Sequence, residues 1–215
     1  MKRALVTLLA LMVLAGCARQ GESPYRGVYL LLDTSGTYTE ELKKAQLIIN
    51  YYLGALGAGD SFAVARIDSG SFSEKDIIAK VTFDGRPSQM NAQKRAFAKV
   101  IELFISSVES AQYTDISGGL LQAVEFLNET SAGQKSILLY SDLREELPEG
   151  YNRDFSYELD GFQVFALNVT KLREDNIDPA EYLSRLADWQ AKVEQGGGRW
   201  QVVNDLDRTD ALALD

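Results

Sequence analysis

The chain has 215 residues, 46% of them hydrophobic, which suits one domain of ordinary size behind a leader segment. Acidic residues outnumber basic ones, 31 to 22, for a net charge of −9, and an acidic surface argues against a nucleic-acid partner, which would demand a basic face. Histidine is absent and Cys17 is the only cysteine, so a Ser-His-Asp triad, a Cys-His pair, histidine-ligated zinc and an internal disulfide are excluded.

The N-terminus opens with Lys2-Arg3 and then an apolar run over 4–14. That run is too short to span a bilayer and has the length of a signal-peptide core. Leu14-Ala15-Gly16-Cys17 follows and resembles the bacterial lipobox. The resemblance implies a signal peptide over 1–16, cleaved before a lipid-modified Cys17, and a membrane anchor through that lipid. Each buried methylene contributes about 0.8 kcal/mol, so several acyl chains hold firmly. Removing Lys2 and Arg3 with the leader takes the charge from −9 to about −11. Ala18 stands where an aspartate usually marks inner-membrane retention, so the resemblance implies an outer-membrane lipoprotein facing the periplasm. Residues 17–26 carry Gly21, Ser23 and Pro24 and read as a short linker; at about 3.3 Å per residue the part after the cysteine reaches at most roughly 25–30 Å.

The domain is expected over 27–215. A strand over 27–35 contains the apolar run Val28 to Leu32, the pattern of a strand buried on both faces. Thr37-Tyr38-Thr39-Glu40 fits a capping box and opens a helix over 39–57, with Leu42, Ala45, Ile49, Tyr52 and Leu56 on one face. Gly57 and Gly59 end it. A strand is expected over 61–68 and another over 79–83; no useful helix separates them, so the pair should be antiparallel. A helix over 88–110 offers Met90, Phe97, Val100, Ile101, Phe104 and Val108 as its buried stripe. The polar loop 113–119 leads into a helix over 120–129. Strands over 136–140, 162–169 and 200–203, an irregular charged segment over 147–160, and a helix over 179–195 started by Asp178 and Pro179 complete the reading. Trp189, Trp200, Tyr51 and Tyr52 read as packing residues.

Alternation of strands and amphipathic helices calls for a mostly parallel sheet covered on both faces. The strands end in polar residues on one edge: Asp33, Asp68, Asp142, Asn168 and Asn204. Asp68, Asn168 and Asn204 fit ordinary Asx turns at strand ends. Asp33 and Asp142 follow directly on buried strands, on the edge where open α/β sheets bind ligands. Hard oxygens there suit Mg²⁺, Mn²⁺ or Ca²⁺.

Asp33-Thr34-Ser35-Gly36-Thr37 resembles the Asp-x-Ser-x-Ser motif of von Willebrand factor A (vWA) domains, which forms a metal-ion-dependent adhesion site. Thr114-Asp115-Ile116 before Leu120-Leu121 is similar to that family's threonine loop, and Ile137-Leu138-Leu139-Tyr140-Ser141-Asp142 to its fourth strand. The resemblance covers 27–205. It implies a six-stranded sheet in the order 3-2-1-4-5-6 with the third strand antiparallel. It also implies one bound divalent ion, direct hydroxyl ligands from Ser35 and Thr37, and carboxylates from Asp33 and Asp142 bound directly or through water. Thr114 would coordinate directly or through water, and an open position would receive a carboxylate from a protein partner. Thr37 departs from the family's usual serine but keeps the hydroxyl. Asp115, beside Thr114, has no role in that pattern. The implied function is a membrane-anchored binding module without catalysis.

Two alternatives remain at the level of sequence. One is a metal-free scaffold of the same fold in an envelope complex. The other is phosphoryl transfer, because Asp33-Thr34-Ser35-Gly36-Thr37 is also similar to the Asp-Lys-Thr-Gly-Thr nucleophile motif of haloacid-dehalogenase-type enzymes. There Asp33 would be the nucleophile and Ser141 would bind phosphate. Ser35 replaces that family's acid/base aspartate, and Asn204-Asp205-Leu206-Asp207 matches its late acidic pair poorly.

Overall fold

The computed structural model describes residues 23–36, 41–68, 70, 72–172 and 174–205. The expected signal peptide, Cys17, Thr37 and the capping box at 37–40 lie outside the described residues. Six strands form one sheet: β1 (Arg26–Asp33), β2 (Ser61–Ile67), β3 (Ile77–Thr82), β4 (Gln134–Tyr140), β5 (Phe162–Leu167) and β6 (Arg199–Val203). Among the described residues four α-helices accompany them: α1 (Leu42–Ala55), α2 (Pro87–Ser107), α3 (Ile116–Glu129) and α4 (Pro179–Gln195). The sheet order is β3-β2-β1-β4-β5-β6, parallel throughout except for the β2–β3 pair. This is the expected topology, with β1 and β4 side by side at the point where the strand order reverses.

The period of two along β1 sends its side chains into two cores. Val28, Leu30 and Leu32 pack with Leu42, Ile49 and Tyr52 of α1 and with Phe97 and Ile101 of α2. Tyr29 and Leu31 pack with Leu120, Ala123 and Leu127 of α3 and, further along the sheet, Trp189 and Val193 of α4. Leu31, between β2 and β4, is wholly buried, which is why this strand reads as a continuous apolar run.

Three expectations need correction. First, α3 starts at Ile116 rather than at 120. Asp115 caps it, accepting from the Gly118 N–H at 2.8 Å, and this makes the first turn out of residues that read as loop. Gly118 and Gly119 belong to the helix because space forbids a side chain: a Cβ on Gly119 would lie 2.9 Å from Leu31 Cδ2. Second, α2 buries only Phe97 and Ile101, with Met90, Phe104 and Val108 partly covered and Val100 exposed. It is a peripheral helix on the edge of the sheet.

The third correction concerns the strand ends. Asn168 and Asn204 make longer-range bonds. Asn204 accepts from the Val169 N–H across β5 and β6 at 2.7 Å, and Asn168, at φ 53°, donates to Glu41 Oε2 at 3.1 Å. Asp68 pairs with Arg66 on its own strand at 3.2 Å. Asx bonds also occur at Asp33 and Asp142, accepting from the Ser35 and Arg144 N–H groups two residues on.

Candidate metal centre at the β1–β4 switch point

β1 and β4 run in parallel register to Leu32–Tyr140, so Asp33 and Ser141 leave the sheet side by side. Asp33 is wholly buried. Its Oδ1 accepts from the Ser35 N–H at 2.8 Å and its Oδ2 from the Ser141 hydroxyl at 2.6 Å, and the Ser35 side chain also hydrogen-bonds to it. These donors are all neutral. Burial pushes the Asp33 carboxyl above the usual range; the Ser141 and Ser35 hydrogen bonds oppose this, and the Glu146 charge adds to it.

Asp142 follows Ser141 and is 3% exposed. Burial lifts its carboxyl to about 6, opposed by the Arg144 N–H bond and reinforced by the neighbouring Asp33 charge. Arg185 lies close enough to lower it slightly, but its guanidinium is committed to Asp175 through bonds of 2.7 and 2.8 Å. The chain then turns sharply. Leu143 sits at φ 66°, a left-handed conformation that costs a leucine about 1 kcal/mol or more. Its N–H donates to Ser141 Oγ at 3.0 Å and its carbonyl accepts from Trp189 Nε1 at 3.0 Å, which together hold the turn.

Thr114 reaches the same edge by backbone pairing on both sides. Its N–H and carbonyl exchange bonds with Glu146, at 2.8 and 3.0 Å, beyond the end of β4. Three residues earlier, the Ala111 N–H donates to the Thr34 carbonyl at 2.8 Å beyond the end of β1. Asp115, unexplained by the sequence, is a structural residue. It caps α3 and takes bonds of 3.0, 3.1 and 2.6 Å from the Arg153 guanidinium. Glu145 supports the same turn, accepting from the Ser117 N–H at 2.6 Å and hydroxyl at 3.0 Å.

The structure therefore gathers Asp33, Ser35, Thr114 and Asp142 at one end of the sheet; Thr37 lies outside the described residues. Among the described residues no group of three or more His, Cys, Asp or Glu could hold a metal ion. The expected donor set has two carboxylates and otherwise hydroxyls. Those residues fit a hard dication in one physical respect: two adjacent buried carboxylates have raised pKa values, and a cation would relieve both. Reasoning from sequence missed Ser141 as the buried partner of Asp33 in this setting, and missed Arg153 and Glu145 as supports of the threonine loop. The Ser141 position was legible from its place beside Asp142 on a strand end. Arg153 sits in an irregular segment with no pattern to mark it.

By sequence, neither a protein-family model nor a curated protein matches the chain. Solved structures do match in fold. The pilus adhesin SpaC from Lactobacillus rhamnosus GG superposes with a TM-score of 0.51 at 15% identity, over 90% of this chain and 29% of the adhesin. A von Willebrand factor type A structure from Catenulispora acidiphila gives 0.49 at 15% identity, over 86% and 40%. BatB from Bacteroides thetaiotaomicron gives 0.44 at 16% identity, over 87% and 95%. The chain spans less than a third of the adhesin's length, and likeness at this identity speaks to fold alone. The fold is the doubly wound six-stranded sheet, in the order 3-2-1-4-5-6 with the third strand antiparallel, expected from the sequence.

Proposed function

We propose that this chain is a vWA-type binding module, held at the bacterial envelope through an acylated Cys17, that engages a carboxylate of a protein partner through one divalent cation. Asp33, Ser35, Thr37, Thr114 and Asp142 would hold the ion, Mg²⁺, Mn²⁺ or Ca²⁺. The observation that carries this reading is Asp33: a wholly buried carboxylate at the switch point, bonded among the described residues only by neutral donors and adjacent to a second raised carboxylate, Asp142. Such a pair is costly unless a positive charge completes it. A bound dication supplies that charge and an open position for an anionic ligand. The protein's own part is positional. Ser141 and the Ser35 N–H fix the Asp33 carboxylate, the Leu143 turn directs Asp142, and Glu146, Asp115 and Arg153 hold the loop that carries Thr114.

Binding is favoured over phosphoryl transfer because Ser35 stands where that chemistry would need an acid/base aspartate. Ser141, the would-be phosphate ligand, is spent on Asp33. The metal-free scaffold has one observation on its side: the threonine loop is braced by backbone pairing with Glu146 and by the Asp115–Arg153 and Ser117–Glu145 bonds.

The test is calorimetric titration of the full chain with Mn²⁺ and Mg²⁺ after EDTA treatment, paired with capture of partners in both conditions. Saturable binding lost in Asp33→Ala, with a partner released by EDTA, is expected. Undiminished partner capture in EDTA and in Asp33→Ala would install the scaffold reading. Metal-dependent phosphatase activity lost in Asp33→Asn would install phosphoryl transfer. Mass spectrometry of the native protein should find an acylated Cys17 at its N-terminus, and cleavage elsewhere without acyl groups would remove the anchor.

A further inference from the structure

The crossovers leave one part of the sheet thinly covered. β3 is the antiparallel edge strand, and Ala79 and Val81, facing one way, pack with the α1–α2 core. Ile77 and Lys80 are in register with Ala65 and Ala63, which belong to the opposite core. On that side α3 lies over β1, β2 and β4, and α4 against β6. Beside α3, above β3, runs a groove of two adjoining cavities of about 370 and 300 Å³ that share Lys80, Phe126 and Glu129.

The walls of the groove have a definite chemistry. Phe126, partly buried and edge-on to Tyr29 at 5.4 Å, and Ile77 supply apolar surface. Gln122 lines the groove with its Oε1 accepting from the Tyr29 hydroxyl at 2.8 Å, so its amide offers donors. Lys80 is balanced by Glu74 at 2.9 Å. Glu125 and Glu129 then set the sign. They are exposed, one helical turn apart on α3, and flank Phe126 in sequence.

We propose that this groove is the docking site for a cationic amphipathic segment of a partner protein, with an apolar side chain seated on Phe126 and Ile77 and Lys or Arg side chains paired with Glu125 and Glu129. Charge selects the segment: an acidic or neutral apolar peptide would face two uncompensated carboxylates, whereas a basic one gains on-rate and register. The apolar floor supplies the anchor that charge alone does not. The groove is lined by β3 from Ile77 to Thr82, roughly 20 Å for six residues, enough for a handful of extended residues or between three and four helical turns.

The experiment uses the full chain in EDTA, so that the strand-end site takes no part. An array of synthetic peptides about twelve residues long, varied in charge and apolar content, is probed with the labelled protein, and hits are measured by fluorescence anisotropy. Binders are expected to carry Lys or Arg around Leu, Ile or Phe. Glu125→Lys combined with Glu129→Lys should weaken them tenfold or more with an unchanged melting temperature, and Glu102→Lys on α2 should not. Phe126→Ala should weaken the same peptides while leaving purely basic ones unaffected. An array without binders, affinity that tracks positive charge without apolar residues, or affinity unmoved by the paired Glu125 and Glu129 reversals would overturn the proposal.

Discussion

Ser141 donates its hydroxyl to Asp33 across the two central strands, Oγ to Oδ2 at 2.6 Å, and both residues are wholly sealed from solvent. Ser141 also accepts from the Leu143 N–H, so one hydroxyl fixes both a buried carboxylate and the left-handed turn after β4. Ser141→Ala leaves a buried acceptor and a buried donor unmet. The expected loss is about 1–3 kcal/mol in urea unfolding at neutral pH. An unchanged midpoint would mean that this bond contributes nothing to stability.

The pH dependence of the metal-free form follows from Asp142. Its folded pKa, about 6, lies above the unfolded value of roughly 3.9, so the folded state binds more protons between those values. Stability should therefore fall as pH rises through about 4 to 6 and be lowest above 6, a change of about 2–3 kcal/mol. Asp33, also raised, acts in the same direction. Denaturant unfolding in EDTA at stepped pH measures this; Asp142→Asn should flatten the profile and stabilise the metal-free form near neutrality. A stability that rises from pH 5 to 7 in EDTA would contradict the assignment.

Thr37 separates hydroxyl coordination from mere space filling. Thr37→Ser keeps the oxygen and should leave Mn²⁺ affinity within a few-fold. Thr37→Val keeps the shape and removes the oxygen, and should cost tenfold or more, about 1.4 kcal/mol. Calorimetry on the two variants decides; equal affinities would take Thr37 out of the site.

Arg153 neutralises Asp115, which is itself wholly buried beneath the α3 N-terminus. Arg153→Met removes the guanidinium from that carboxylate and should cost about 3 kcal/mol. Asp115→Asn in the same chain should recover part of the loss, since the amide oxygen still caps Gly118 without needing a counter-charge. A double-mutant cycle by chemical unfolding measures the coupling, and strictly additive losses would rule it out.

The strand order, the antiparallel edge and the Asp33–Asp142 edge of the sheet were legible because buried parallel strands print themselves as apolar runs that stop abruptly in polar residues. The start of α3 was not. Gly118 and Gly119 carry the signature of a loop, and only the close approach of the Asp115 carboxylate to Gly118 and of Leu31 to Gly119 explains two glycines inside a helix. The longer-range bonds at the strand ends were not legible for a related reason. An Asp or Asn at a strand end reads the same whether it bonds two residues on, as Asp33 does, or across to a neighbouring strand, as Asn204 does. Sequence also read α2 as a core helix from its apolar content, because nothing in its period reports that the sheet ends beneath it and leaves Val100 uncovered.

β1 enters the sheet at Arg26, directly after the segment that leads back to Cys17, and leaves it at Asp33. Eight residues of strand cover roughly 25 Å, and the chain does not double back between the two points. If Cys17 is acylated as proposed, the chain enters the sheet from the membrane side and the Asp33 end lies a strand's length further along it. The proposed partner carboxylate would then meet that end most readily from the aqueous side, offered by a soluble protein or by the outer part of a membrane-embedded one.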